Sequence, residues 1–310
     1  MSACPAAASN STACSAEPVR PAHGDAGFVL ISVIWIVLFL ALAAAAFTMS
    51  VRSHVQETSA EAASADARAL AEAGTQLALH DLVNARLSRG WQSRFPADGR
   101  TYACSIGAGR VLVTVEDEAG KIDLNTATEA VLRRLLAGVG RPADEAERLA
   151  ATILDYRDPD SVRRQNGAEA DEYRQAGRRH GPKNAPFDSP LELAQVLGID
   201  AALLAKVLPF VTVHSGLQGT DLSKAAPAMS AMLGAGTSSG QSDRLPADML
   251  AISPQRVFLI RAQALGERGA TFVRETVVRV APSRSRHFAV LAWRQVNANP
   301  SAQGTELGPC

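Results

Sequence analysis

Between residues 155 and 172 the chain gathers carboxylates: Asp155, Asp158 and Asp160, then Glu169, Asp171 and Glu172, around Asn166-Gly167. Hard oxygen donors at short D-x-D spacing suit calcium, which takes about six to eight oxygens from a flexible loop. The order of acids and glycine is not that of an EF-hand. Arg157, Arg163, Arg164 and Arg174 interleave with the acids. They offer the other reading of the same stretch, a solvated loop of ion pairs. Four cysteines, Cys4, Cys14, Cys104 and Cys310, match no zinc spacing. In an oxidising compartment Cys104 and Cys310 either bond to each other or remain two thiols. His54, His80, His180, His214 and His287 stand beside no serine or cysteine motif, and neither G-x-S-x-G nor a phosphate loop occurs. The expectation is a protein that is not an enzyme.

The run LLAGVGRPADEAERLAATI has the form of a helix-hairpin-helix, with Gly138-Val139-Gly140 at its turn. Such a turn can offer backbone amides to a phosphate. Here Asp144, Glu145 and Glu147 follow, where a phosphate would want lysines, and the chain balances 31 basic against 31 acidic residues. The hairpin reads as a packing unit, with no nucleic acid as partner.

The elements that must hold these groups follow from apolar patterning. Phe28 to Met49 contains no charge, proline or glycine. At about 1.5 Å per residue it spans ~33 Å, enough for the ~30 Å hydrocarbon core of a bilayer, where only a helix satisfies its own backbone. No proline occurs from Phe28 to Arg94, so one helix of about 60 residues is predicted, half in lipid and half amphipathic against a soluble head. Residues 101–125 read as a β-hairpin turning at Gly107 and Gly109. Residues 126–213 turn helical, with start signals at Arg141-Pro142 and Ser189-Pro190. RVFLIRAQAL, TFVRETVVRV and HFAVLAWRQV return to strands. Asp123–Gly138 and Asp221–Gly236 match at seven of sixteen positions, an internal echo in which a strand end feeds a helix. The fold class expected is α+β: a long N-terminal helix on an antiparallel sheet, with a large helical insertion.

Two sets of residues carry a family resemblance. Gly27-Phe28, after a leader and before the apolar helix, resembles the class III signal of type IV pilins and pseudopilins. EDEAGKIDLNTATEAVLRRLL, ILDYRDPD, NGAEADEYRQAG and GPKNAPFDSPLELAQVLGI then follow in the order seen in type II secretion minor pseudopilin K, the general secretion pathway protein K family. That resemblance implies a pilin-like head with a helix-hairpin-helix or SAM-like insertion, and a prepilin peptidase cut after Gly27 with N-methylation of Phe28. It also implies a structural calcium, for which Asp155, Asp158, Asp160, Glu169 and Asp171 are the candidate ligands. Ser32 stands at the fifth mature position, where the family usually has glutamate to pair with a neighbour's amine. A subunit without that acid suits the filament tip, beside pseudopilins I and J with H below. The implied location is the inner membrane, single-pass, with the head in the periplasm.

The expected organisation is a leader over 1–27, a membrane part of the helix over 28–51 and its periplasmic part over 52–90. First strands follow over 91–122, the helical insertion over 123–215 and a flexible loop with a second short helical repeat over 216–250. Closing strands occupy 251–296, and a disordered tail 297–310. Two other classes share parts of the pattern: a single-anchor periplasmic DNA-binding protein with a helix-hairpin-helix domain, and a minor type IV pilin.

Overall fold

The computed structural model describes residues 26–88, 90–233, 249–266, 269–281, 287–299 and 302–310. Residues 1–25, most of the leader expected over 1–27, with Cys4 and Cys14, the Gly/Ser-rich segment 234–243 and the turn expected over 282–286 lie outside the described residues. The proline-free stretch forms one helix, α1 (Ala26–Leu87), of 62 residues. The chain divides into two compact units, residues 1–59 and 60–310.

In the first unit α1 exposes its apolar side chains, among them Leu30, Trp35, Phe39 and Phe47. By length and composition this stretch can cross a membrane. In the second unit the same helix changes character. Ala67, Ala71 and Ala78 are fully buried, with Leu79 and Leu82 beside them. A Cβ added at Gly74 would strike Val111, so glycine and alanine let the helix lie close on the sheet.

The sheet begins with a hairpin, β1 (Thr101–Ile106) and β2 (Gly109–Asp117), turning through Gly107 at φ 57°. The chain then leaves for the insertion. Here come β3 (Ile122–Asp123), α2 (Glu129–Gly138), α3 (Ala143–Arg157), α4 (Ala170–Gln175), α5 (Ala201–Val207), β4 (Val211–Thr212) and α6 (Pro227–Met232). It returns as β5 (Val257–Leu265), β6 (Thr271–Val280), β7 (Phe288–Val296) and β8 (Thr305–Pro309). The six-stranded order is β7-β6-β5-β2-β1-β8, and all neighbours are antiparallel except β8, which runs parallel to β1. The architecture is α+β, as expected, with a sheet that is mixed rather than purely antiparallel.

β8 corrects the expectation of a disordered tail over 297–310. Cys104 and Cys310 form a disulfide, with Cα atoms 5.2 Å apart. The Cys310 amide donates to the Ser105 carbonyl at 2.9 Å. Arg94 donates to the Pro309 carbonyl at 2.7 Å, and Arg110 ion-pairs with Glu306. All these partners are remote in sequence, so TELGP becomes a strand through tertiary contacts rather than its own weak β-propensity.

Local signals set the insertion's elements. Thr128 caps α2 by accepting the Val131 amide, and Asp200 caps α5 by accepting the Leu203 amide at 2.6 Å. Ser189 accepts from Leu191, and Pro190 opens the short 3-10 helix Pro190–Gln195. Leu132, Leu135, Leu136, Ile153, Tyr156, Tyr173, Leu193 and Leu203 close a core of the insertion's own. Met229 and Leu233 join it, so part of the 216–250 stretch belongs to the same packed body. The echo is visible in the turns: Asp123 accepts the Asn125 amide at 2.8 Å, and Asp221 accepts the Ser223 amide at 2.9 Å, each just before a helix. β3 and β4 pair in parallel at the insertion's base. Lys121 lies there against Glu118 and Glu116. Burial opposes its charge, but the two carboxylates outweigh burial and raise its pKa.

Candidate functional site

The acidic stretch begins on α3. The helical period that turns Ile153 and Tyr156 into the core also brings Asp155 inward, where it has no exposed surface. Its carboxylate accepts from the Arg164 amide and lies 3.3 Å from the Arg164 guanidinium. Burial pushes the Asp155 carboxyl up to about 6, and the Asp158 charge adds to the rise. Asp158 follows the helix end. One of its oxygens pairs with Arg164 at 2.8 Å, and the other is buried without a hydrogen-bond partner among the described residues.

The loop returns through Asn166 at φ 65° and Gly167. A Cβ at Gly167 would overlap the Asp155 carboxylate, so only glycine permits this approach. Glu169 then precedes α4. It is 7% exposed and forms a capping box with Glu172, yet among the described residues neither of its buried oxygens has a full hydrogen-bond partner. Burial raises its pKa, followed by the charges of Asp155, Asp158, Asp160 and Glu172. These orphaned oxygens make the donor set one that a cation would satisfy.

The predicted residues therefore separate. Asp155, Asp158 and Glu169 raise the local negative charge together, and Arg164 offsets part of it from beside Asp155 and Asp158. Asp160 is exposed, and its carboxylate accepts the Val162 amide at 2.8 Å. Asp171 is exposed on α4 in an ion pair with Arg174. Among the described residues no three His, Cys, Asp or Glu side chains form a group that could hold a metal ion as they stand. The ion-pair reading is also partly realised, through Arg164 and through Arg163 with Glu172 at 2.9 Å. Arg157 instead turns away, donating to the Ala127 carbonyl at 2.7 Å. Asn184 was missed from sequence. It sits at φ 51°, donates to the Asp160 carbonyl at 2.7 Å and keeps its own side-chain oxygen buried without a partner. Its one signal was the asparagine of GPKN, a residue that tolerates left-handed backbone.

The raised Asp155 pKa has a testable sign. A carboxyl whose folded value lies above its ordinary 3.8 leaves the folded state less stable as pH climbs from about 4 to about 6. With screening by water and Arg164, that loss should amount to about 1–2 kcal/mol. Urea unfolding of the metal-free chain at pH 4.5 and 6.5 should show wild type losing more, or gaining less, than Asp155→Asn. Equal pH responses would refute the assignment.

The N-terminal residues fall in α1. Gly27 and Phe28 lie in its first turn, and Ser32 is half-buried one turn further on. The helical hairpin forms from α2 and α3, with Gly140 at φ 94°. Its second helix opens with Asp144 and Glu145, so the amide end meets carboxylates rather than lysines.

A family model described as type II secretion system (T2SS), protein K, matches residues 112–216. Type II secretion system protein K of Pectobacterium carotovorum subsp. carotovorum is 31% identical over 124 residues, which cover 38% of this chain and 38% of that one. The protein of the same name from Dickeya chrysanthemi is 37% identical over 83 residues, 27% of this chain and 22% of that one. The one from Klebsiella pneumoniae is 26% identical over 210 residues, 61% of this chain and 63% of that one. The matched stretches thus span less than two thirds of each relative. In the crystal structure of the GspK-GspI-GspJ complex from the enterotoxigenic Escherichia coli type 2 secretion system, one chain superposes with a TM-score of 0.53. That match has 20% identity and covers 80% of this chain and 99% of that one; at that identity it speaks for the fold. By sequence across the insertion and by fold across most of its length, the chain resembles type II secretion system protein K.

Proposed function

We propose that this chain is a minor pseudopilin of the type II secretion system, which caps the pseudopilus tip and helps start its assembly for protein export across the outer membrane. The observation that carries the reading is the family match over residues 112–216, set inside a long apolar-led helix and sheet. Its work is mechanical rather than catalytic. A prepilin peptidase frees Phe28, which is then N-methylated. The apolar part of α1 holds the subunit in the inner membrane, with the head in the periplasm, until assembly. It then packs beside the helices of pseudopilins I and J, with H below. Ser32 in place of an acid leaves no charge to pair with the amine of a subunit above. The insertion adds bulk that a mid-filament position would not accommodate. Nucleic acid has no part, since the hairpin's amide end is acidic.

Asp155, Asp158 and Glu169 would hold a structural calcium, with Asp160 at the rim and Asp171 joining only by leaving Arg174. The ion would neutralise the buried charge and supply partners for the orphaned oxygens. Millimolar calcium should raise the unfolding temperature of the full chain in detergent by several degrees, and Glu169→Gln should lose most of that gain. An unchanged temperature would remove the metal from the account.

The test of the whole reading is the N-terminal residue and mass of the protein from its native membrane. N-methylated Phe28 is expected, and a chain still beginning at Met1 would overturn it.

A further inference from the structure

The two edges of the sheet differ. β8 is short, carries Glu306 and ends in Gly308-Pro309, features that blunt an edge against added strands. β7 is nine residues long and contains no proline, lysine or acid. One side of it pairs with β6 along its length, and the other side pairs with no strand among the described residues.

Register places its side chains. Val290 faces Val278, and Phe288 faces Val280, so both stand on the side of the sheet that α1 covers. A bulge beside Val278 admits Leu291 as an extra residue, which brings Trp293 opposite Thr276 onto that same side. Phe288, Val290 and Trp293 remain 42%, 47% and 43% exposed. The other side of the edge is basic. Arg261 and Arg294 flank the buried Glu275, and exposed Arg279 lies two residues beyond Val277 on that face. Two guanidiniums pair with Glu275, and Arg279 adds a third on the same face without contacting it.

We propose that β7 accepts an antiparallel strand from a second, different protein chain, with apolar residues toward Phe288, Val290 and Trp293 and acidic residues toward Arg294 and Arg279. Main-chain hydrogen bonds would supply the adhesion, and the alternation of apolar and acidic residues the selectivity. A second copy of this chain fits poorly, because it would bring another arginine cluster beside this one. The proposal rests on the reading of the chain as an assembly subunit and names the surface it would use.

Amide hydrogen exchange on the full chain in detergent, alone and co-purified with minor pseudopilins I and J, provides the test. The outward amides of Phe288–Val296 should exchange quickly in the lone chain and slow at least tenfold in the complex. Val290→Lys should lower recovered complex about tenfold while leaving the melting temperature and the exchange of β2 and β5 unchanged. A complex that forms with β7 amides unaltered, or with Val290→Lys at wild-type yield, overturns this inference and leaves the proposed function standing. Concentration-dependent protection in the lone chain assigns the edge to a second copy and also overturns it. Failure of wild type to associate with either partner overturns both.

Discussion

Replacing Gly27 with leucine should leave residues 1–27 attached and reduce secretion through the system to background. Two physical reasons make the effect nearly all-or-none. The cut is expected beside a residue without a side chain, and leucine puts four carbons where the peptidase must close on the backbone. An uncut leader also keeps Glu17, Arg20 and Asp25 just ahead of the apolar run. Drawing those charges into hydrocarbon costs several kcal/mol, so the helix could neither slide out of the bilayer nor present Phe28 as its first residue. Immunoblotting of membranes and assay of an exported enzyme check both parts. A Gly27→Leu chain that migrates at the shortened size while export continues would refute the processing step, whatever the fate of the family resemblance.

Asp81→Ala should remove roughly 3–5 kcal/mol from a total stability that is typically about 5–15 kcal/mol. Asp81 lies near the end of α1 and is 3% exposed. One of its oxygens accepts from the Trp91 indole at 2.8 Å and from the Arg94 amide at 3.2 Å. The other accepts from the Phe95 amide at 3.0 Å and from the Ser93 hydroxyl. This single carboxylate therefore fastens the loop after α1 and lets Phe95 enter the core under the helix. Alanine strands four donors, whereas Asp81→Asn keeps the shape and should lose about half as much. Urea unfolding followed by tryptophan fluorescence measures it. A loss below about 1 kcal/mol would mean that the loop is held by its apolar contacts alone.

Much of this architecture was readable because it is written locally. A proline-free run gave α1, β-prone apolar runs gave β5 to β7, and side-chain caps such as Ser189 marked the insertion's turns. β8 was not readable. Thr305 to Pro309 contains a glycine and a proline, and it becomes a strand only because Cys104, Arg94 and Arg110 reach it from the other end of the chain. The acidic stretch shows the same limit. Spacing marked Glu169 and Asp171 as equivalent, yet one is buried without partners and the other is exposed beside Arg174. Two residues along the chain, the difference comes from which way the start of α4 faces the Tyr173 core. Asn184 entered the loop by a backbone turn that its composition alone did not announce.

Asp117 and Phe258 stand opposite each other on neighbouring strands. The polypeptide leaves the sheet and rejoins it within one strand spacing, so to the sheet everything from Glu118 to Val257 is a single hairpin connection. Closure entropy grows only with the logarithm of length, and a connection this long costs about 3 kcal/mol more than a four-residue turn. That sum is small beside what the connection's own interior can return. The two ends form a socket: a module of any size could be seated there, exchanged or discarded, and the strands on either side would keep their registers.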